Sequence, residues 1–188
     1  VTNESTDGEL LARSLLRPEA LGELYERHAA AVFRFIARRA GPVAAEDLLG
    51  DVFVAALEAR ERYRPHKSGS ALPWLYGISG NIVRAHLRKQ RPSAVIDTDV
   101  GVDWHAVDER VDARAQRDQL RQALASLSPA EREAFLLVAW ERLSVTEAAQ
   151  ALGVASTVVR TRLFRARQRA QTFLATAARS LVPLEDSP

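Results

Sequence analysis

Apolar residues in this chain recur at spacings of three and four. Nowhere do they alternate convincingly in twos, so the pattern predicts an all-α protein. Leu21, Leu24, Tyr25, His28, Val32, Phe35 and Ile36 trace the first stripe, with Pro18 at its start and Gly41-Pro42 at its end. A second helix from about Val43 carries Leu48, Leu49, Val52, Phe53, Ala56 and Leu57 on one side and Glu46, Asp47 and Asp51 on the other, with Gly50 inside it. Arg64 to Ser70 reads as a loop. Pro73 opens a third helix with Trp74, Leu75, Ile78, Ile82 and Leu87 inward and Asn81, Arg84, Arg88 and Lys89 on the opposite face, and Pro92 stops it.

Periodicity then lapses until about Val111, where a helix to Leu127 begins. Ser128-Pro129-Ala130-Glu131 and Ser144-Val145-Thr146-Glu147 are both capping boxes: a serine accepts from the amide three residues on, and the glutamate there accepts in return. Two such starts close together predict short helices joined by tight turns. Ala148, Ala149 and Leu152 form the inner face of one, Gly153 supplies a positive-φ turn, and Val154 packs the corner. A new helix from Ala155 or Ser156 turns Val159, Leu163 and Ala166 inward. It turns Thr157, Arg160, Thr161, Phe164 and Arg165 outward. This is the pattern of a helix-turn-helix whose second helix presents hydroxyls and arginines to a DNA groove. A basic helical hairpin used for packing, or for an acidic protein partner, has the same pattern.

Charge sharpens the division of the chain. Its 188 residues have a net charge of only +2, but the placement is uneven. Arg84, Arg88, Lys89 and Arg91 make one basic cluster. Arg160, Arg162, Arg165, Arg167 and Arg169 make another, and seven acids lie between Asp97 and Asp118. Only Lys67 and Lys89 are lysine, a bias that suits phosphate recognition and equally a GC-rich genome. The chain therefore reads as two small helical domains joined by an acidic linker. Residues 1–17 are disordered or a short extension, 18–91 the first domain, 92–110 the linker, 111–171 the helix-turn-helix domain and 172–188 a tail. No cysteine is present, and no apolar run approaches a membrane span or a signal sequence, so a cytoplasmic protein is expected. His28, His66, His86 and His105 are scattered, without metal spacing, and no phosphate-cradling glycine loop occurs. Neither an enzyme nor a cofactor or metal site is expected, and His28 falls on an apolar face as a core histidine.

The segment Leu152-Gly153-Val154-Ala155-Ser156-Thr157-Val158-Val159-Arg160-Thr161-Arg162-Leu163-Phe164-Arg165-Ala166-Arg167 resembles the C-terminal motif of the extracytoplasmic-function sigma factors of bacterial RNA polymerase. Leu127 to Glu133 resembles the opening of that family's domain. Leu24-Tyr25-Glu26-Arg27-His28, Ala45-Glu46-Asp47-Leu48-Leu49 with Asp51-Val52-Phe53, Trp74-Leu75-Tyr76 with Ile78 and Asn81, and His86-Leu87-Arg88-Lys89 follow in the family's order. The likeness spans about Pro18 to Gln171.

The resemblance implies a sigma subunit that directs core polymerase to promoters. Residues 18–91 correspond to sigma region 2, with Asn81, Arg84, Arg88, Lys89 and Arg91 at the melted −10 element. Glu46, Asp47 and Asp51 would meet the clamp of the largest polymerase subunit. Residues 111–171 correspond to region 4, with Ser156, Thr157, Arg160, Thr161, Phe164 and Arg165 at the −35 duplex and a contact to the second-largest subunit. An anti-sigma factor is an implied partner. A free-standing helix-turn-helix regulator is the other reading. The chain also departs from the family pattern: Gly77 and Gly80 stand where arginines are usual, Ala85 where an aspartate is, Gly50 where a glutamine is, and Thr157-Val158 where Gly-Thr is. These departures predict a shifted −10 preference or weaker unaided melting.

Overall fold

In the computed structural model, which describes residues 5–90 and 120–180 with side chains to residue 173, helix α2 (Ala20–Ala40) and helix α3 (Pro42–Ala59) are separated by Gly41 alone. Gly41 has φ +85°, a conformation that a Cβ disfavours, so the chain reverses there. Pro42, which has no amide proton to satisfy, starts α3. A 3-10 turn (Arg60–Arg62) and a loop lead to helix α4 (Leu72–Gln90). Val32, Phe35 and Ile36 of α2, Leu48, Val52, Phe53 and Ala56 of α3, and Leu75, Tyr76 and Val83 of α4 interlock in one core. The Phe35 and Tyr76 rings stack with centroids 4.6 Å apart.

Residues 7–14 are not a loose end. They form helix α1 (Asp7–Ser14), begun by a capping box between Thr6 and Glu9. Leu10 and Leu11 are buried against Leu24, Tyr63 and Ala71. The Thr6…Glu9 spacing is the same start signal read at Ser128 and Ser144, here in front of only one apolar pair.

The C-terminal part begins in the description with helical residues 120–125, followed by α5 (Pro129–Ala139), α6 (Val145–Leu152) and α7 (Ser156–Ser180). Both expected capping boxes form. Ser128 N donates to Glu131 Oε2 at 3.0 Å and Ser144 N to Glu147 Oε2 at 2.8 Å, with the reciprocal serine caps present. Gly153 takes φ +63°, and the Val154 amide donates back to the Ala149 carbonyl, closing the end of α6 so that α7 leaves at a sharp angle. Ala148, Ala149 and Val159 are buried in one cluster, where the two alanines let α6 and α7 approach closely, and Ala166 is buried against Leu124, Leu127 and Leu136. The linker at 92–110, Arg91 and residues 181–188 lie outside the described residues; residues 172–180 continue α7.

The two lobes expected as separate domains share one apolar core. Ala134, Leu137, Leu143, Ala148, Ala149 and Val159 belong to the same cluster as Phe35, Val52 and Leu75. Helix α4 is the shared element, packing against α2, α3 and α6. This changes its reading. Leu75 is buried as expected, but Trp74, Ile78, Ile82 and Leu87 are only half-buried, and Tyr76, Ser79, Gly80 and Val83 are fully buried. A helix covered on two sides buries more of its circumference than a single amphipathic stripe indicates. A Cβ at Gly77 would lie 2.8 Å from the Ala151 carbonyl oxygen, so the α4–α6 approach requires glycine there. The two glycines that stand where the family pattern has arginine thus lie in or beside this junction.

Candidate nucleic-acid interfaces

Helix α7 starts just beyond the Gly153 turn, and its first turns carry no acidic residue. Thr157, Arg160, Thr161, Phe164 and Arg165 are all exposed, and Ser156 is half-buried. The N-terminal amides of the helix add partial positive charge to the same end. Phe164 is 61% exposed, unusual for a ring of that size and consistent with an apolar contact such as a thymine methyl. Thr161 Oγ1 donates to the Thr157 carbonyl at 3.0 Å, so its hydroxyl faces outside partners as an acceptor. Val158, which with Thr157 stands where the family pattern has Gly-Thr, is exposed on this surface too. Arg169, the last arginine of this basic cluster, reaches back to Glu131 at 3.4 Å, and its side chain remains more than half exposed.

The second basic cluster lies along the C-terminal half of α4. Asn81, Arg88 and Lys89 are exposed. Arg84 is half-buried: its Nη2 donates to Asn81 Oδ1 at 2.6 Å and its Nη1 to Glu133 Oε1 of α5 at 2.7 Å. Arg91 falls outside the described residues.

The acidic candidates Glu46, Asp47 and Asp51 are exposed on α3. Val43, 82% exposed, and Val54, 57% exposed, lie at the two ends of the same helical stripe. Sequence reading missed both. Their spacing of eleven residues, three helical turns, is the available signal. An acidic stripe bounded by bare valines suits a protein surface that is basic with apolar edges.

The caps of the C-terminal lobe are electrostatically set. Burial alone would raise the Glu131 pKa, but the Ser128 amide and hydroxyl and the charges of Arg169 and Arg165 outweigh it and hold this carboxyl below its ordinary 4.5. Burial likewise opposes ionisation at Glu147. There the Ser144 hydroxyl and amide, the Ser68 hydroxyl and His66 prevail, again lowering the pKa. A depressed folded-state pKa adds stability above the unfolded value that is lost as pH falls through the folded one. The thermal midpoint is therefore expected to hold from neutral pH down to about 5 and to fall below about 4.5. Ser128→Ala and Ser144→Ala should each shrink that fall. Melts across pH with unchanged slope in both variants would contradict the assignment.

Among the described residues no cluster of potential ligands could hold a metal ion, and no helix is long and apolar enough to cross a membrane. His28, expected in the core, is half-buried with Nε2 donating to Asp7 Oδ2 at 2.6 Å.

Known proteins align with both halves. The family models for Sigma-70 region 2 and for Sigma-70, region 4 match residues 24–93 and 117–169. The chain is 32% identical over 160 residues to the RNA polymerase sigma factor CarQ of Myxococcus xanthus, covering 83% of this chain and 90% of CarQ. It is 30% identical over 185 residues to the sigma factor NccH of Alcaligenes xylosoxydans xylosoxydans, covering 93% and 97%. Among solved structures it is similar to CnrH, a sigma factor of Cupriavidus metallidurans, seen in complex with the cytosolic domain of CnrY. The TM-score is 0.63 at 25% identity, covering 92% of this chain and 99% of that one.

Proposed function

Because the chain belongs to the extracytoplasmic-function sigma factors, the subunits that direct RNA polymerase to promoters for transcription initiation, we propose that α4 and α7 divide the promoter between them. Helix α7 reads the −35 element as duplex, through Ser156, Thr157, Arg160, Thr161, Phe164 and Arg165. Helix α4 holds the melted −10 strand, with Asn81 at a base edge and Arg84, Arg88, Lys89 and Arg91 on phosphates. The α3 stripe of Glu46, Asp47 and Asp51 docks on the clamp of the polymerase largest subunit, and the C-terminal lobe also meets the second-largest subunit. The protein works where the polymerase is, in the cytoplasm. CnrH is seen bound to another protein, the cytosolic domain of CnrY, and a protein partner of the same kind, an anti-sigma factor as the family resemblance implies, would hold this chain inactive.

One observation carries the −35 assignment. A helix leaving a left-handed glycine turn exposes two arginines, two threonines and a phenylalanine on one face, with no acid in its first turn. An arginine fork matches the O6 and N7 of guanine, whereas a phosphate contact is indifferent to sequence. Replacing Arg160 with alanine is expected to cost about 1–3 kcal/mol at one −35 position and to relax preference there. Run-off transcription with core polymerase on a −35 library measures this. A loss spread evenly over all sequences would move Arg160 to the phosphate backbone. Failure of the wild-type chain to support any promoter-dependent transcript would reject the assignment altogether.

A further inference from the structure

One turn of the helix-turn-helix lobe holds a residue that the fold itself does not call for. Helices α5 and α6 are joined by a turn that the backbone closes, with the Glu141 amide donating to the Leu136 carbonyl and the Leu143 amide to the Leu137 carbonyl, both at 3.1 Å. Closing it puts Arg142 at φ +57°, and among the described residues no other non-glycine residue has a positive φ. Glycine takes this conformation freely, whereas a side chain there strains the backbone. Nothing within the chain offsets that strain. Arg142 is exposed, and its guanidinium has no hydrogen bond or ion pair among the described residues. The neighbouring acids are engaged elsewhere: Glu141 bonds Arg38, and Glu147 accepts from the Ser144 amide at 2.8 Å. The next residue, Leu143, is buried with Ala148, Ala149 and Val159, so the turn is fixed relative to the start of α7.

A strained residue without a partner in its own chain points to one outside it. Arg142 stands at the leading end of α6, beside exposed Ser144 and Thr146. In a helix-turn-helix the first helix crosses the DNA backbone while the second enters the groove. A cation at the start of the first helix therefore meets phosphate, whatever the sequence. We propose that Arg142 is a backbone clamp for the −35 duplex, contacting a phosphate beside the groove that α7 reads. The proposal rests on the −35 reading of α7. It adds a division of labour: Arg160 and its neighbours on α7 select the sequence, while Arg142 fixes the register of the lobe on the duplex without selecting.

Arg142→Gly separates the clamp from a role in folding, because it removes the charge and the strain together. Its thermal midpoint should equal or exceed that of the wild-type chain. Arg142→Lys keeps both the charge and the strained backbone. The measurement is the affinity of holoenzyme, assembled from core polymerase and the full chain, for duplexes carrying members of the −35 library, across salt concentrations. With Arg142→Gly the slope of log affinity against log salt should flatten by about 0.9, the share of one phosphate contact. The wild-type advantage should thus narrow about 3.5-fold between about 50 and about 200 mM salt. The loss should be uniform over the library, unlike that of Arg160→Ala, and Arg142→Lys should keep the wild-type slope. An unchanged slope with the −35 preference intact overturns the clamp alone. A library without any −35 preference rejects the reading of α7 and the clamp with it. A lower midpoint in Arg142→Gly would place Arg142 in the fold, and weaker binding to core polymerase without DNA would place it on a protein surface; either result overturns the proposal.

Discussion

Asp7→Ala is expected to release α1 and to cost the N-terminal lobe about 3–5 kcal/mol, the range for removing one partner of a buried charged network. An eight-residue helix has no stability of its own in water, so α1 stays only because it is docked. Leu10 and Leu11 supply the apolar part of that docking. Asp7 supplies the rest. Its carboxylate, 6% exposed, accepts from the Ala71 amide at 2.7 Å, His28 Nε2 at 2.6 Å and Arg27 Nη1 at 3.2 Å. Burial by itself would raise the Asp7 pKa, but the Ala71 amide, His28 and Arg27 more than compensate and hold it below 3.8. The network therefore contributes above that pH and is lost as acid protonates the carboxyl. Truncation leaves the buried Ala71 amide and the His28 ring without an acceptor, a penalty that water relieves only if α1 lifts away. Urea unfolding should show the loss, and hydrogen exchange at the Ala71 amide should accelerate before global unfolding. A loss under about 1 kcal/mol with Ala71 still protected would mean that the leucines alone hold α1.

Glu141→Ala is expected to have an effect of similar size at the junction of the lobes. Arg39 is 4% exposed, lies over the Phe35 ring at 3.5 Å and donates to the Phe35 carbonyl. Burial pulls its pKa down to about 10, with Glu141 and Glu133 opposing, so it remains charged at neutral pH. Glu141 sits 3.6 Å from it, bonds Arg38 directly and adjoins the Tyr76 hydroxyl, whose ionisation is suppressed by burial first and by Glu141 second. Without Glu141 the guanidinium is a buried charge with only Glu133 left to balance it, a state costing up to about 3–5 kcal/mol. The lobes can limit that cost by separating and letting water reach Arg39. Denaturant unfolding of Glu141→Ala should therefore lose its single sharp transition. The apolar replacement Arg39→Met with Glu141→Leu should restore most of the stability, because it removes the desolvation cost along with the attraction. If that double variant is no more stable than Glu141→Ala, the pair is not the source of the effect.

Both networks lie where sequence reading was blind, and the reasons are physical. Helices α2, α3 and α4 and the helix-turn-helix were legible because each is written locally: a spacing of three and four, a proline or capping box at the start, a glycine at the end. The left-handed conformation of Gly153 followed from its position after Leu152, and the exposed set on α7 from which residues remained once the buried stripe was assigned. Helix α1 carried a cap signal but too few apolar positions to reveal a period. Arg39 offered no signal at all, since an arginine in a polar-flanked helix reads as solvated unless its partner is known, and Glu141 is a hundred residues away.

Local order thus dictated which segments are helices, where they begin and turn, and which face of α7 is bare. Only tertiary structure decided what covers them. α4 is claimed from two sides, so its buried face is wider than its stripe. Arg84, outward by periodicity, is held by a carboxylate forty-nine residues downstream and in turn holds Asn81. Periodicity reports how a helix sorts apolar from polar residues against one partner. It carries no information on a second partner, nor on which charges meet when that partner arrives.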